Sequence, residues 1–133
     1  MPHDDETYLA RFQARDLGPE YFDHKGHLYM AWLHLNHYDL EEANTRVCEG
    51  IHDLADKFGA PEKFNHTLSE ALMRIMAKRI HGDMSHNFEA FLAANPDLVT
   101  DARGVLARHF SEERLTSPEA RAAWVEPDRE PID

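Results

Sequence analysis

The chain has one cysteine, Cys48, in 133 residues, so no disulfide can form within it and the fold must rest on packing and hydrogen bonds. Cys48 falls inside an amphipathic pattern, where a thiol reads as a small apolar filler. Long apolar runs are missing too. No stretch approaches the roughly 18 residues of a spanning helix, and the start, Met1-Pro2-His3-Asp4-Asp5-Glu6, is acidic without an apolar core. A membrane anchor and a signal peptide are therefore not expected, and a cytoplasmic location is. Positive charge is scarce: 14 Lys and Arg against 25 Asp and Glu give a formal net charge of -11. Nucleic acid and anionic membranes are disfavoured as partners, because binding to either draws on phosphate neutralisation.

Several motifs are absent as well. There is no CxxC, no HExxH and no pair of ExxH motifs, so a di-iron carboxylate bundle and the familiar zinc classes have no motif support. No nucleophile elbow or phosphate-cradling glycine loop indicates a reaction class, and there is no internal repeat or low-complexity segment. Sustained strand-type alternation is lacking, whereas apolar residues recur at intervals of three and four. That periodicity predicts an all-α chain: one domain over 1–133, a bundle of five to six helices, mostly antiparallel. Residues 1–20 form its N-terminal helix and turn, and 126–133 an extended tail. A chain of this length can bury roughly two thirds of its unfolded surface, so a metal need not hold the fold.

Punctuation divides the chain. A first helix spans about 5–15 with Tyr8, Leu9 and Phe12 on one stripe, and Leu17-Gly18-Pro19 turns it. Asp23 is an N-cap candidate for a helix over 24–38 carrying Leu28, Ala31, Trp32 and Leu35. A third covers 39–58 with Leu40, Ala43, Val47, Ile51, Leu54 and Phe58, and stops at Gly59-Ala60-Pro61. A fourth covers 61–80, opened by Pro61, with Phe64, Leu68, Ala71, Leu72, Ile75 and Met76 turned to the core and Gly82 as its stop. Ser85 is expected to cap a short helix with Phe88, Phe91 and Leu92, which Asn95-Pro96 breaks. Asp101 caps another through Val105, Leu106 and Phe110, and a last turn starts at Ser117-Pro118. The charged, proline-broken end is expected to lie extended over the surface or fray. Met30, Met73, Met76 and Met84 read as core filling.

Ten histidines are the most prominent positive feature. Histidine is the commonest protein metal ligand and titrates near neutrality. His24 is expected on the face of Leu28, Ala31 and Leu35, with His27 about 60° to one side and one turn along, so that the two could share a ligand. His34 lies on the side of His27 but about 10 Å further along the axis, a supporting or partner position. His37 faces the negative pole of the helix. Zinc, iron and copper sites need a third donor. The supplier would be the turn Phe64-Asn65-His66-Thr67-Leu68-Ser69-Glu70, with Asn65 and Ser69 on the flank of the core stripe. His66 joins as a metal ligand only through an irregular first turn; a regular helix makes it a solvated pair with Glu70. The competing readings are histidines hydrogen-bonded to backbone and hydroxyls, and a metal-free catalytic site. In the latter, His24 or His27 is the general base, Asn65, Thr67 or Ser69 bind the ligand, and Tyr38 or Arg121 are remoter contributors. His52 and His81 are expected in solvent, and His109 as a packed ring satisfied by a carbonyl.

The block Phe22-Asp23-His24-Lys25-Gly26-His27-Leu28, followed by Ala31-Trp32-Leu33, resembles the F-x-H-x-x-H-L-x-x-A-W-L motif of a small bacterial all-α family without an assigned activity. The resemblance continues through Gly59-Ala60-Pro61-Glu62-Lys63-Phe64, Thr67-Leu68-Ser69, Phe91 with Asn95-Pro96-Asp97-Leu98, and Ala120-Arg121 with Pro127-Asp128. It implies a site built on His24, His27 and a third histidine. Members often carry that histidine where this chain has Asn65, and tyrosine where it has His109. Asparagine keeps a hydrogen bond but is a poor transition-metal ligand.

Two functions follow as expectations. One is binding of a metal ion or small molecule in a polar pocket between the histidine helix and the Asn65 turn, with a catalytic role left open. The other is a metal-free interaction or regulatory module, whose acidic faces meet another protein or a second copy of the chain and whose histidines are structural or pH-responsive.

Overall fold

The computed structural model describes residues 5–21, 23–81 and 87–132. Among them are nine α-helices, two 3-10 turns and no strand, so the protein is all-α. The chain divides into two compact units, Met1–Phe64 and Asn65–Asp133. No helix among the described residues is long and apolar enough to cross a membrane.

The first unit holds α1 (Asp5–Gln13), α2 (His24–His37) and α3 (Leu40–Lys57). Helix α1 buries Tyr8 and Phe12. It stops two residues earlier than the periodicity suggests, because Arg15 turns left-handed at φ 60 and the Asp16 N–H closes on the Arg11 carbonyl at 2.7 Å. Helix α2 starts where expected, with the Asp23 carboxylate accepting from the Gly26 N–H at 2.7 Å. Its apolar stripe is wider than the sequence suggests: residues 28–34 are all buried, so the helix is enclosed around its whole circumference. Asp39 caps α3 through the Glu42 N–H at 2.9 Å, and Ala43, Val47, Cys48, Ile51 and Leu54 are buried. Leu40, expected on the stripe, is 41% exposed. Helix α3 ends at Gly59, whose φ of 72 suits glycine, with Ala60 N–H bonded to the Ala55 carbonyl at 2.8 Å. Helices α1, α2 and α3 pack on one another. A Cβ at Gly50 would collide with the Phe12 ring, so α1 and α3 approach through a glycine.

The second unit holds α4 (His66–His81), α5 (Phe88–Ala94), α6 (Pro96–Thr100), α7 (Ala102–Ala107), α8 (Glu112–Leu115) and α9 (Pro118–Ala122). The helix expected over 61–80 is two pieces. Pro61–Lys63 forms a 3-10 turn, and the Asn65 side-chain oxygen accepts from the Leu68 N–H at 3.0 Å, which starts α4 afresh. Gly82, Met84 and Ser85 lie outside the described residues. Asn87 caps α5, accepting from the Ala90 N–H at 2.8 Å. The number of helices exceeds five to six because short segments are capped one by one. Pro96 opens α6 where a break was expected, and Ser111 and Ser117 cap α8 and α9.

The end of the chain is extended and tethered. The Ser111 N–H and Oγ donate to the two oxygens of Asp128 at 2.8 and 2.6 Å, Arg114 Nε donates to the Glu126 carbonyl at 2.7 Å, and the Arg129 N–H donates to the His109 carbonyl at 2.9 Å.

Candidate functional site

The first turn of α2 carries His24 and His27, in the first unit. Both were expected to turn inward, and only His27 does. His24 is exposed, because it is the first helical residue and its Cβ tilts back beyond the helix start, ahead of the point where burial begins at Gly26. His27, one turn on, is half-buried. Burial first, and then the nearby charge of His24, push its pKa down to about 4, against an opposing pull from Asp23. The ring is therefore neutral at physiological pH, the form in which imidazole ligates a metal or accepts a hydrogen bond.

His34 is fully buried and sits apart from that pair. Its Nδ1–H donates to the Met30 carbonyl at 2.7 Å, since a carbonyl oxygen can only accept, which leaves Nε2 with the lone pair. The Phe12 ring meets it edge-on at 5.2 Å and Tyr38 lies 5.9 Å away. Nε2 has no hydrogen-bond partner among the described residues. Its pKa is also pushed down to about 4, by burial above all; the bond to Met30 opposes this, while Arg46, His37 and Arg15 add to it. The Tyr38 hydroxyl accepts from Gln13 Nε2 at 3.0 Å, and the Arg46 guanidinium lies 4.4 Å over its ring. His37 Nδ1 donates to the Leu33 carbonyl at 2.8 Å.

The other expected site residues, Asn65, His66, Thr67 and Ser69, belong to the second unit. Asn65 caps α4 and donates through Nδ2 to the Leu115 carbonyl at 2.8 Å. Thr67 is buried; its hydroxyl donates to the Ala123 carbonyl at 2.8 Å and accepts from the Val125 N–H at 3.1 Å. These two side chains fasten the start of α4 to the segments around residues 115 and 123–125. Ser69 is half-buried.

His66 donates through Nε2 to Glu70 Oε1 at 3.0 Å. The pair expected in solvent is not solvated, because Glu70 is only 8% exposed. Its second oxygen is held by Arg74, with Nε at 3.0 Å, and the Arg74 guanidinium lies 4.0 Å over the Trp124 ring. Phe110 meets the same indole edge-on at 5.9 Å. Glu70 and Arg74 stand at i,i+4, the spacing at which a helix brings opposite charges together, so this ion pair has a local signal in the sequence. Trp124 and Ala123, 50 or more residues away, have none, and they cover the face on which His66 and Glu70 were expected in solvent.

Three further histidines lie among the described residues. His52 is exposed near Asp53 and Asp56, at 3.7 and 3.8 Å, His81 is exposed, and His109 Nδ1 donates to the Glu130 carbonyl at 2.7 Å. Arg121 is exposed. Among the described residues, no three His, Cys, Asp or Glu side chains converge to hold a metal ion. His24 with His27 supplies two nitrogen donors, and His66 with Glu70 a nitrogen and a carboxylate whose other oxygen is held by Arg74. No protein-family model, no curated protein and no solved structure matches this chain.

Proposed function

We propose that this protein is a cytoplasmic helical protein that binds a small molecule or a divalent metal ion at the first turn of α2, with His24 and His27 as the donors. The observation that carries the reading is the placement of the pair: an exposed imidazole and a half-buried, neutral one stand one turn apart behind the Asp23 cap. An i,i+3 pair brings its Cβ atoms within about 6 Å, close enough for one ligand to touch both rings. Two imidazole nitrogens suit zinc, iron or copper, with the other positions filled from outside the pair. As general bases the same rings fit less well, because the burial that keeps His27 neutral also makes it a weak base. The test is the melting temperature of untagged protein with and without Zn2+, in the parent and in the His24→Ala, His27→Ala double variant. A Zn2+-dependent rise in the parent that the variant loses supports the proposal, and the same response in both removes it.

A second reading is favoured by different histidines. His34, His37 and His109 each donate to a main-chain carbonyl, which is what structural histidines of an interaction or regulatory module would do. It applies to those three rings and leaves the pair at the start of α2 to the first reading.

A further inference from the structure

His34 is the one imidazole among the described residues that is wholly enclosed, and its surroundings offer nothing to a second ring proton. The ring lies in mid α2 within the packing of α1, α2 and α3, with the Phe12 ring from α1 nearly perpendicular to it at 5.2 Å. Nδ1–H is committed to the Met30 carbonyl, while Nε2 meets no acceptor among the described residues. The groups acting electrostatically on the ring all oppose a charge there: Arg46 from α3 and Arg15 just beyond α1 as guanidinium groups, and His37 in α2. Arg15 is bonded to Asp53 at 2.9 Å and Arg46 to Glu42 at 2.9 Å, so the carboxylates nearby already have partners. Tyr38, the other titratable neighbour, presents its ring and directs its hydroxyl oxygen to Gln13. An imidazolium here would be a buried charge with an unsatisfied N–H, among like charges.

We propose that His34 is an acid-operated latch of the first unit: uptake of one solvent proton at Nε2 expels the ring from between α1, α2 and α3 and opens that unit. The sign follows from linkage. The folded ring titrates at about 4 and a free one at 6.5, so the opened state binds the proton more readily. Stability is complete above the free value and falls as the pH drops from 6.5 towards 4. Through His34 alone the opening constant rises about twentyfold between pH 7 and pH 5. The response therefore covers mildly acidic pH, well above the folded value.

The chain carries its own reporter, since Trp32 lies in α2 and the only other tryptophan is Trp124. In full-length Trp124→Phe protein, urea unfolding followed by Trp32 fluorescence at pH 7 and pH 5 gives the opening constants. The same measurement with His34→Gln added removes the titrating ring and keeps an amide donor for the Met30 carbonyl. His27 is present in both proteins, so its contribution cancels. The pH 5 to pH 7 ratio should be about twentyfold larger with His34 than without it; equal ratios would overturn the latch. Should the variant not fold, an NMR titration of His34 in the parent decides the matter. A ring still neutral at pH 5 supports the proposal, and one already protonated there overturns it.

Discussion

His34 in the first unit and His66 in the second each donate one ring N–H to an oxygen four residues away on the same helix, at 2.7 and 3.0 Å. The acceptors differ. His34 has an uncharged carbonyl and an apolar enclosure, while His66 has a carboxylate that Arg74 and Trp124 hold in place. The first arrangement tolerates only the neutral ring, because nothing among the described residues balances a buried charge there; the second sets the ring beside a carboxylate shared with Arg74. The two rings are thus held by different means, His34 by the packing around α2 and His66 by hydrogen bonds and an ion pair gathered on α4.

Four substitutions separate the two means, the largest effect coming from packing. Phe12→Ala removes a fully buried ring that also bounds His34, and should cost about 3–5 kcal/mol in urea unfolding followed by Trp32. A cost below about 1 kcal/mol would mean that α1 is not part of that enclosure. Glu70→Ala, in the second unit, leaves His66 and Arg74 without their shared acceptor. Both partners reach solvent, so a loss of about 2 kcal/mol is expected, read by Trp124 in a Trp32→Phe background. Thr67→Val keeps the shape but cuts the links to Ala123 and Val125; about 1–2 kcal/mol should be lost, with faster amide exchange at Val125.

The smallest effect concerns Asp97, whose pKa the Arg79 hydrogen bonds lower from 3.8. A depressed carboxylate contributes stability that is present above its free value and lost as the pH falls through its folded one. The pair is partly exposed, so Asp97→Asn should cost under about 1 kcal/mol at pH 7 and nothing in strong acid. A cost that persists in strong acid would assign it to packing instead.

Much of the fold was legible because caps and periodicity are local. Asp23, Asp39, Asp101 and Ser117 each accept an N–H three residues on, as their types suggest. The shorter helices were less legible, since a run of four to seven residues holds too few turns for a period to show. At the candidate site, the spacing of His24 and His27 could be read, but which ring faces inward depends on where the neighbouring helices begin to cover α2. Asn65 and Thr67 looked like ligand-binding groups because polar residues beside an apolar stripe look alike until their partners are known. Those partners, the carbonyls of Leu115 and Ala123, lie 50 and 56 residues away.

Arg15 shows how two effects can conceal each other. Its backbone adopts the left-handed twist that side chains resist, yet its guanidinium reaches Asp53 and its carbonyl accepts from Lys57 Nζ at 2.8 Å, mooring the end of α1 to α3. Glycine at this position would ease the twist and cut the mooring to Asp53 in one step. A measured change near zero would therefore record a cancellation, and would not make the position idle.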